Sequence, residues 1–179
     1  MKSVKDLQKT SFETLKSTFG YTNEMSAPKL TKISISVGTG TLMKKDPKKN
    51  VFILDRIAKI TGQKGSLRPA KKSVASFKIR QGDPVGVLVT LRGDNMYAFI
   101  DKLFNIALPR TKDFRGIETK IVDSMGNATL SIKEHTIFPE TNDEELKDVF
   151  GFALTIGTTA KSKDEAIAFL KLLGMPFKK

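Results

Sequence analysis

Cysteine is absent from the chain, tryptophan is absent, and histidine occurs once, at His135. Without thiols there is no disulfide framework, no thiolate zinc site and no cysteine nucleophile, a usage that suits a reducing cytoplasm. With one histidine there is no His-rich metal site, and no metal or cofactor is expected. Acids are the other shortage: Asp and Glu total 19 against 31 Lys and Arg, for a net charge of +12. Such an excess repels itself in a compact chain and points to an external anion, nucleic acid before acidic membrane. Long apolar runs are missing too. MKSVKDLQKTSFETL has no apolar core of signal-peptide length, and nothing reaches the roughly 18 apolar residues of a membrane span.

What remains is the composition of a folded protein: 39% hydrophobic and 28% charged over 179 residues. One domain over 1–179 is expected, with an N-terminal helix within 1–20, a basic loop at 71–85 and an irregular loop at 109–126. Most of the 12 phenylalanines are expected in its core.

The apolar spacing of Val4, Leu7, Phe12 and Leu15 predicts one helix over 3–18, ended by Gly20. LTKISISV (30–37) alternates with period two, Ile33, Ile35 and Val37 against Lys32, Ser34 and Ser36, and predicts a strand. VFILDRIAKITG reads as a helix ending at Gly62. Residues 63–81 read as a short strand or two within a long basic loop. GVLVTLR (86–92) is a strand. DNMYAFIDKLFNIAL (94–108) is a helix that Asp94 could cap, with Met96, Phe99, Ile100, Leu103 and Ala107 as its buried stripe and Pro109 as its stop. NATLSIK (127–133) and FALTIGTT (152–159) are strands. SKDEAIAFLKLLG is a helix with a Ser162–Glu165 capping box, terminated by Gly174 and Pro176. This order argues for an α+β fold, an antiparallel or mixed sheet with helices packed on one face.

The outward strand positions carry Lys32, Ser34, Ser36, Leu88, Thr90, Arg92, Asn127, Thr129, Ser131, Lys133, Ala153, Thr155 and Thr159, with no acid among them. A plain solvated face is the alternative, but such faces normally mix Glu with Lys, so this one reads first as a surface for phosphates or sugar hydroxyls. From Arg56 to Gly82, Arg56, Lys59, Lys64, Arg68, Lys71, Lys72, Lys78 and Arg80 follow one another with no intervening acid. A solvated loop is the plain alternative, but nothing nearby in sequence compensates the charge. A second patch, LPRTKDFRG, sets Arg110, Lys112 and Arg115 around Phe114, as an RNA surface or as a loop tethered by its aromatic.

Other chemistries fare worse. GTG at 38–40 follows a strand, but no Gly-Lys-Ser/Thr comes after it; a tight turn with φ > 0 is the simpler expectation. His135 has no G-x-S-x-G elbow to serve, and a structural role is expected. Glu140, Asp143, Glu144, Glu145 and Asp148 match no calcium loop and read as a solvated acidic loop. The alternatives are a basic enzyme acting on nucleic acid, which would need His135, and a single-strand RNA module, which would want aromatics on its outward strand positions.

KKSVASFKIRQGDPVGVLVTLRG, LPRTKDFRG, GN-x4-IKE-x-x-IFPE (126–140), TTAKSKDEA and LLGMPFKK occur in that order. Together they resemble the bacterial large-subunit ribosomal protein number five family, whose members bind 5S ribosomal RNA. The resemblance runs from about Tyr21 to Lys179. It implies a mostly antiparallel, ferredoxin- or RNA-recognition-motif-like sheet, helices on one side, and an open face against 5S RNA in the central protuberance. It implies a structural, non-enzymatic protein of the cytoplasmic ribosome. By the same resemblance, 5S RNA contacts map to Ser36, Gly38, Gly40, Gln63, Lys64, Thr90 and Arg92. Ser36 stands where the family usually has Asn, and Leu42 where it commonly has an acid. The basic loop, with Lys71, Lys72, Ser73, Phe77, Lys78 and Arg80, would reach P-site tRNA. Further implied partners are 23S RNA, neighbouring large-subunit proteins and, through the 109–148 region, small-subunit head protein number thirteen across a bridge.

Overall fold

The computed structural model describes residues 3–40, 49–112, 114–141 and 149–178. The fold is α+β, built on one five-stranded antiparallel sheet. Its strands are β1 (Leu30–Gly38), β2 (Ser66–Pro69), β3 (Pro84–Leu91), β4 (Ala128–Ile132) and β5 (Phe152–Thr158), in the order β2–β3–β1–β5–β4. The helices are α1 (Val4–Lys9), α2 (Ser11–Phe19), α3 (Lys49–Thr61), α4 (Gly93–Lys102) and α5 (Lys163–Leu172). The chain divides into two compact units.

One unit comprises Ser34–Leu91 and Ser131–Leu154. Period-two alternation buries Ile35 and Val37 of β1 and Val87, Val89 and Leu91 of β3, because only one face of each strand meets the core. Helix α3 packs on β3 and buries Ile53, Ile57 and Ile60, spaced to fall on one helical face. Burying each such side chain contributes about 1.5–3 kcal/mol. His135 belongs to this core. It is 0% exposed, its Nδ1 accepts from the Phe150 amide at 3.3 Å, and its ring stacks on Phe150 with centroids 4.1 Å apart. Thr141 Oγ1 donates to its carbonyl at 3.0 Å. That is the structural role expected of it.

The other unit comprises the chain up to Ile33, Arg92–Leu130 and Thr155 to the C-terminus. The stripe Met96, Phe99, Ile100, Leu103 and Ala107 is buried as its spacing predicts, together with Phe104 and Leu108. The predicted helix over 94–108 changes character within its length. α4 ends at Lys102, and Leu103–Ala107 continue as a wider π turn before Pro109. Asp94 does not cap α4. The cap position belongs to Arg92, without a side-chain hydrogen bond, and Asp94 sits in the first turn, where its carboxylate meets Lys5 Nζ at 2.8 Å. That placement still suits the positive end of the helix dipole.

The N-terminal segment is two short helices rather than one. They part at Thr10, whose hydroxyl donates to the Leu7 carbonyl at 2.9 Å. This is the local competition by which Thr interrupts helices. Helix α1 docks on α4, with the Val4 amide on Asp101 Oδ1 at 3.0 Å and Gln8 Nε2 on Tyr97 at 2.9 Å. The α5 capping box is half reciprocal. Ser162 Oγ accepts from the Glu165 amide at 3.3 Å, but Glu165 Oε2 takes the Lys161 amide at 2.7 Å, and its Oε1 accepts the Tyr21 hydroxyl.

Candidate nucleic-acid interface

The outward positions of β1 and β3 in the first unit present Ser36 and Gly38, both exposed, and Thr90, half-buried. These strands are neighbours, and a Cβ on Gly86 of β3 would lie 3.2 Å from the Val37 carbonyl of β1. Gln63 is exposed and reaches the same strand end, its Nε2 donating to the Thr90 carbonyl at 3.2 Å. Lys64 follows it, exposed, with no ion pair among the described residues. Leu42 lies outside those residues. Arg92 opens the second unit, exposed, with Nη1 donating to the Thr31 carbonyl at 3.4 Å. No acid stands at an outward position of any described strand.

The glycines at 38 and 40 are not a positive-φ turn, since neither φ is left-handed. The chain instead runs on beside β3, with the Thr39 amide donating to the Val85 carbonyl at 2.9 Å. A Cβ at Gly38 would meet nothing within 4 Å, and one at Gly40 would touch Ile79 Cδ1 at 3.7 Å. Nothing within the described chain requires glycine at either place. Thr39 between them is 0% exposed, and its hydroxyl has no hydrogen-bond partner among the described residues.

The basic stretch is a folded arm rather than an open loop. β2 pairs antiparallel with β3, Ser66 opposite Leu88. Beyond it the Ala70 amide donates to the Asp83 carbonyl at 2.8 Å, and the Gly82 amide to the Ala70 carbonyl at 3.0 Å. Ser73 Oγ accepts from the Gln81 amide at 3.0 Å. Val74 and Ile79 then form a bridge around a tip from Ala75 to Lys78. Lys78 has φ of +50°, the one positive value at a non-glycine residue described here. The sequence signal for this hairpin is weak, because its paired residues are separated by cations and do not alternate. Phe77 is an exception to the core expectation for phenylalanine, at 64% exposed.

Of the eight cations, Lys59 pairs with Asp55 at 3.1 Å, and Arg56 lies over the Phe52 ring at 4.8 Å. Lys64, Arg68, Lys71, Lys72, Lys78 and Arg80 have no ion pair among the described residues. The acid that ends the stretch is already engaged, with Asp83 Oδ2 accepting the Arg80 amide at 2.8 Å.

In the second unit Arg110, Lys112 and Arg115 are all exposed, and Phe114 is half-buried, as a tethering aromatic would be. Of the acidic segment, 142–148 lies outside the described residues. Among the described residues no group of three His, Asp or Glu is arranged to hold a metal, and no helix is long and apolar enough to cross a membrane.

Described strands without an outward carboxylate, an arm whose cations have no ion pair among the described residues and a histidine committed to packing suit the class of protein that associates with polyanions. Comparison with known proteins agrees. The family model for ribosomal protein L5 matches residues 23–80, and the model for the C-terminus of the same ribosomal protein family matches 84–177. The large ribosomal subunit protein uL5 of Thermoanaerobacter sp. is 49% identical over 90% of this chain and 89% of its own length. That of Halothermothrix orenii is 48% identical over 89% and 88%, and that of Geobacter sulfurreducens 45% identical over 99% of both. The chain is thus a structural, non-enzymatic constituent of the large ribosomal subunit, associated with ribosomal RNA and proteins in the cytoplasm. It belongs to the ribosomal protein L5 family.

Proposed function

We propose that the chain binds 5S ribosomal RNA and attaches it in the central protuberance, and that its basic arm braces P-site tRNA. Ser36, Gly38, Gly40, Gln63, Lys64, Thr90 and Arg92 hold 5S RNA through phosphate and 2′-hydroxyl oxygens. Lys71, Lys72, Ser73, Phe77, Lys78 and Arg80 meet the tRNA, the cations by attraction to phosphate and Phe77 by stacking. Contacts to 23S RNA, and a bridge from the 109–148 region to small-subunit head protein number thirteen, complete the assignment. The observation that carries this reading is the acid-free outward face, joined to an arm whose cations find no partner among the described residues.

Two glycines that the fold does not itself require add support, since a bare backbone lets a phosphate approach closely. The test is Thr90→Glu, which sets a carboxylate on the proposed face without touching the core. Affinity for 5S RNA in a filter-binding assay is expected to fall at least about tenfold, about 1.4 kcal/mol. An unchanged affinity removes that face from the interface. Lys71→Ala with Lys72→Ala is expected to leave 5S attachment intact and to lower the salt dependence of tRNA contact. Loss of 5S binding by that pair would reassign the arm.

A further inference from the structure

We infer that Arg110, Lys112, Arg115 and Lys178 form a second RNA-phosphate site, sharing no residue with the proposed 5S RNA and tRNA surfaces and taking the start of the region given above to the bridge. The inference rests on the reading of the chain as an RNA-binding protein, and assigns that chemistry to the unit carrying α4 and α5. The segment bearing the first three cations is fixed at both ends. At its start, the π turn is closed by the Leu108 amide on the Leu103 carbonyl at 2.9 Å. Pro109, which has no amide hydrogen, follows. Successive turns then run from the Thr111 amide to the Leu108 carbonyl at 3.0 Å and from the Phe114 amide to the Thr111 carbonyl at 3.3 Å.

At its end, Gly116 has φ of +93°, and a Cβ there would stand 2.9 Å from both Lys178 N and Cα. The C-terminal segment therefore lies directly on Gly116. It is held there by the Ile117 amide on the Pro176 carbonyl at 2.8 Å and the Lys178 amide on the Ile117 carbonyl at 2.9 Å. Lys178, distant in sequence, is thereby carried beside Arg115.

All four cations are exposed, and none has an ion pair among the described residues; Asp113 falls outside them. The adjoining Glu118 faces its own cation, Lys120 Nζ, at 3.9 Å. Like charges held together by backbone geometry gain nothing from one another and are offset by an external anion. Two considerations select RNA over an acidic protein. Arg110 and Arg115 carry guanidinium groups, whose planar forks match phosphate oxygens. Among the described residues of this segment and the turn before it, the one large apolar side chain strongly exposed is Ile106, at 44%. That falls short of the apolar core a protein interface needs.

The test uses the full-length chain, free and saturated with 5S RNA, and as probe an RNA hairpin of about 20 base pairs of arbitrary sequence. The variant is Arg110→Gln, Lys112→Gln and Arg115→Gln together, checked by circular dichroism, with Lys178→Gln alone as a change that leaves the turn intact. Each cation that meets a phosphate contributes about 0.7–0.9 to the slope of log affinity against log salt. The triple variant is expected to lower the hairpin slope by about 2 and its affinity at least about tenfold near 0.1 M salt. Lys178→Gln is expected to lower that affinity about two- to threefold, and 5S affinity is expected to stay within about twofold in both variants. An unchanged hairpin slope overturns the site. So does a parallel loss of 5S affinity, which would merge the two surfaces, or loss of poly-glutamate binding with hairpin binding retained, which would make it a protein site. If the wild-type chain fails to bind 5S RNA at all, the proposed function falls, while the hairpin titration on the free chain still decides this site.

Discussion

Val74 and Ile79 exchange both of their backbone hydrogen bonds, 2.9 Å from the Val74 amide and 3.2 Å from the Ile79 amide, and so close the tip of the basic arm. That reciprocal pair is the narrow form of an antiparallel ladder rung. It holds Lys78, Arg80, Lys71 and Lys72 on one framework despite their repulsion. Within the tip, the Lys78 amide returns to the Ala75 carbonyl at 2.9 Å, a turn built into a four-residue hairpin connection. The charge is thus presented by a preformed element, and less ordering entropy opposes contact with a polyanion.

Lys78 bears the cost of that geometry. A side chain in the left-handed region is disfavoured by roughly 1–2 kcal/mol relative to glycine. Lys78→Gly is expected to tighten the tip even as it removes a charge. Amide hydrogen exchange at Val74 and Ile79 should slow by about fivefold, about 1 kcal/mol. Lys78→Ala, which keeps the Cβ, should leave exchange near wild type. Faster exchange in Lys78→Gly would mean that the tip does not adopt this turn.

The parts of this fold readable from sequence are those whose signal is local. LTKISISV alternates because one face of β1 is buried, and the strand runs Leu30–Gly38. Ser162 accepts the Glu165 amide as a capping residue should. The α4 stripe was equally legible, but the Asp94 cap was not, because its carboxylate finds Lys5 from another helix. The same limit applies to the candidate surfaces. Their residue types announced themselves through missing carboxylates. The reach of Gln63 to the Thr90 carbonyl, the hairpin in the arm and the return of Lys178 to Arg115 are long-range or weakly patterned. Glycines 38 and 40 differ from expectation for a related reason: Gly suggests a left-handed turn, whereas the Thr39 amide between them is held by the Val85 carbonyl and neither glycine has a positive φ.

Two glycines make opposite predictions. Gly116 combines φ of +93° with backbone atoms 2.9 Å from any added Cβ. Gly116→Ala should therefore destabilise the chain by about 1–3 kcal/mol in denaturant melts. Gly38→Ala meets open space and an ordinary φ, so stability should stay within about 0.5 kcal/mol. If 5S RNA approaches that backbone as proposed, its affinity should nevertheless fall. A stable Gly38→Ala chain that binds RNA as wild type would show that no ligand needs the bare backbone there.

Thr39 offers a test of the interior. Its hydroxyl is buried with no hydrogen-bond partner among the described residues, a desolvation that costs about 1–3 kcal/mol. Valine has nearly the same shape and no such cost. Thr39→Val is expected to leave stability unchanged or raise it by up to about 1 kcal/mol in urea melts. A loss of more than about 1 kcal/mol would reveal a partner for the hydroxyl.

The Tyr21 hydroxyl donates to Glu165 Oε1, which ties the start of the chain to the first turn of α5. Burial, and then this bond to a carboxylate, push the phenol above its ordinary value of 10. The folded state therefore favours the neutral phenol more than the unfolded state does. Its stabilising contribution is fully present below the unfolded value of about 10 and is lost as pH rises through the folded one. Thermal melts from about pH 8 to about 11 should show Tm falling more steeply above about pH 10 in wild type than in Tyr21→Phe. Lysine deprotonation is common to both chains and cancels in the difference. Below about pH 9 the Phe variant should be the less stable of the two, by about 1 kcal/mol, since Glu165 Oε1 loses its donor. Parallel curves across the whole range would mean that the phenol titrates alike in the folded and unfolded chain, and that the bond to Glu165 does not hold the two segments together.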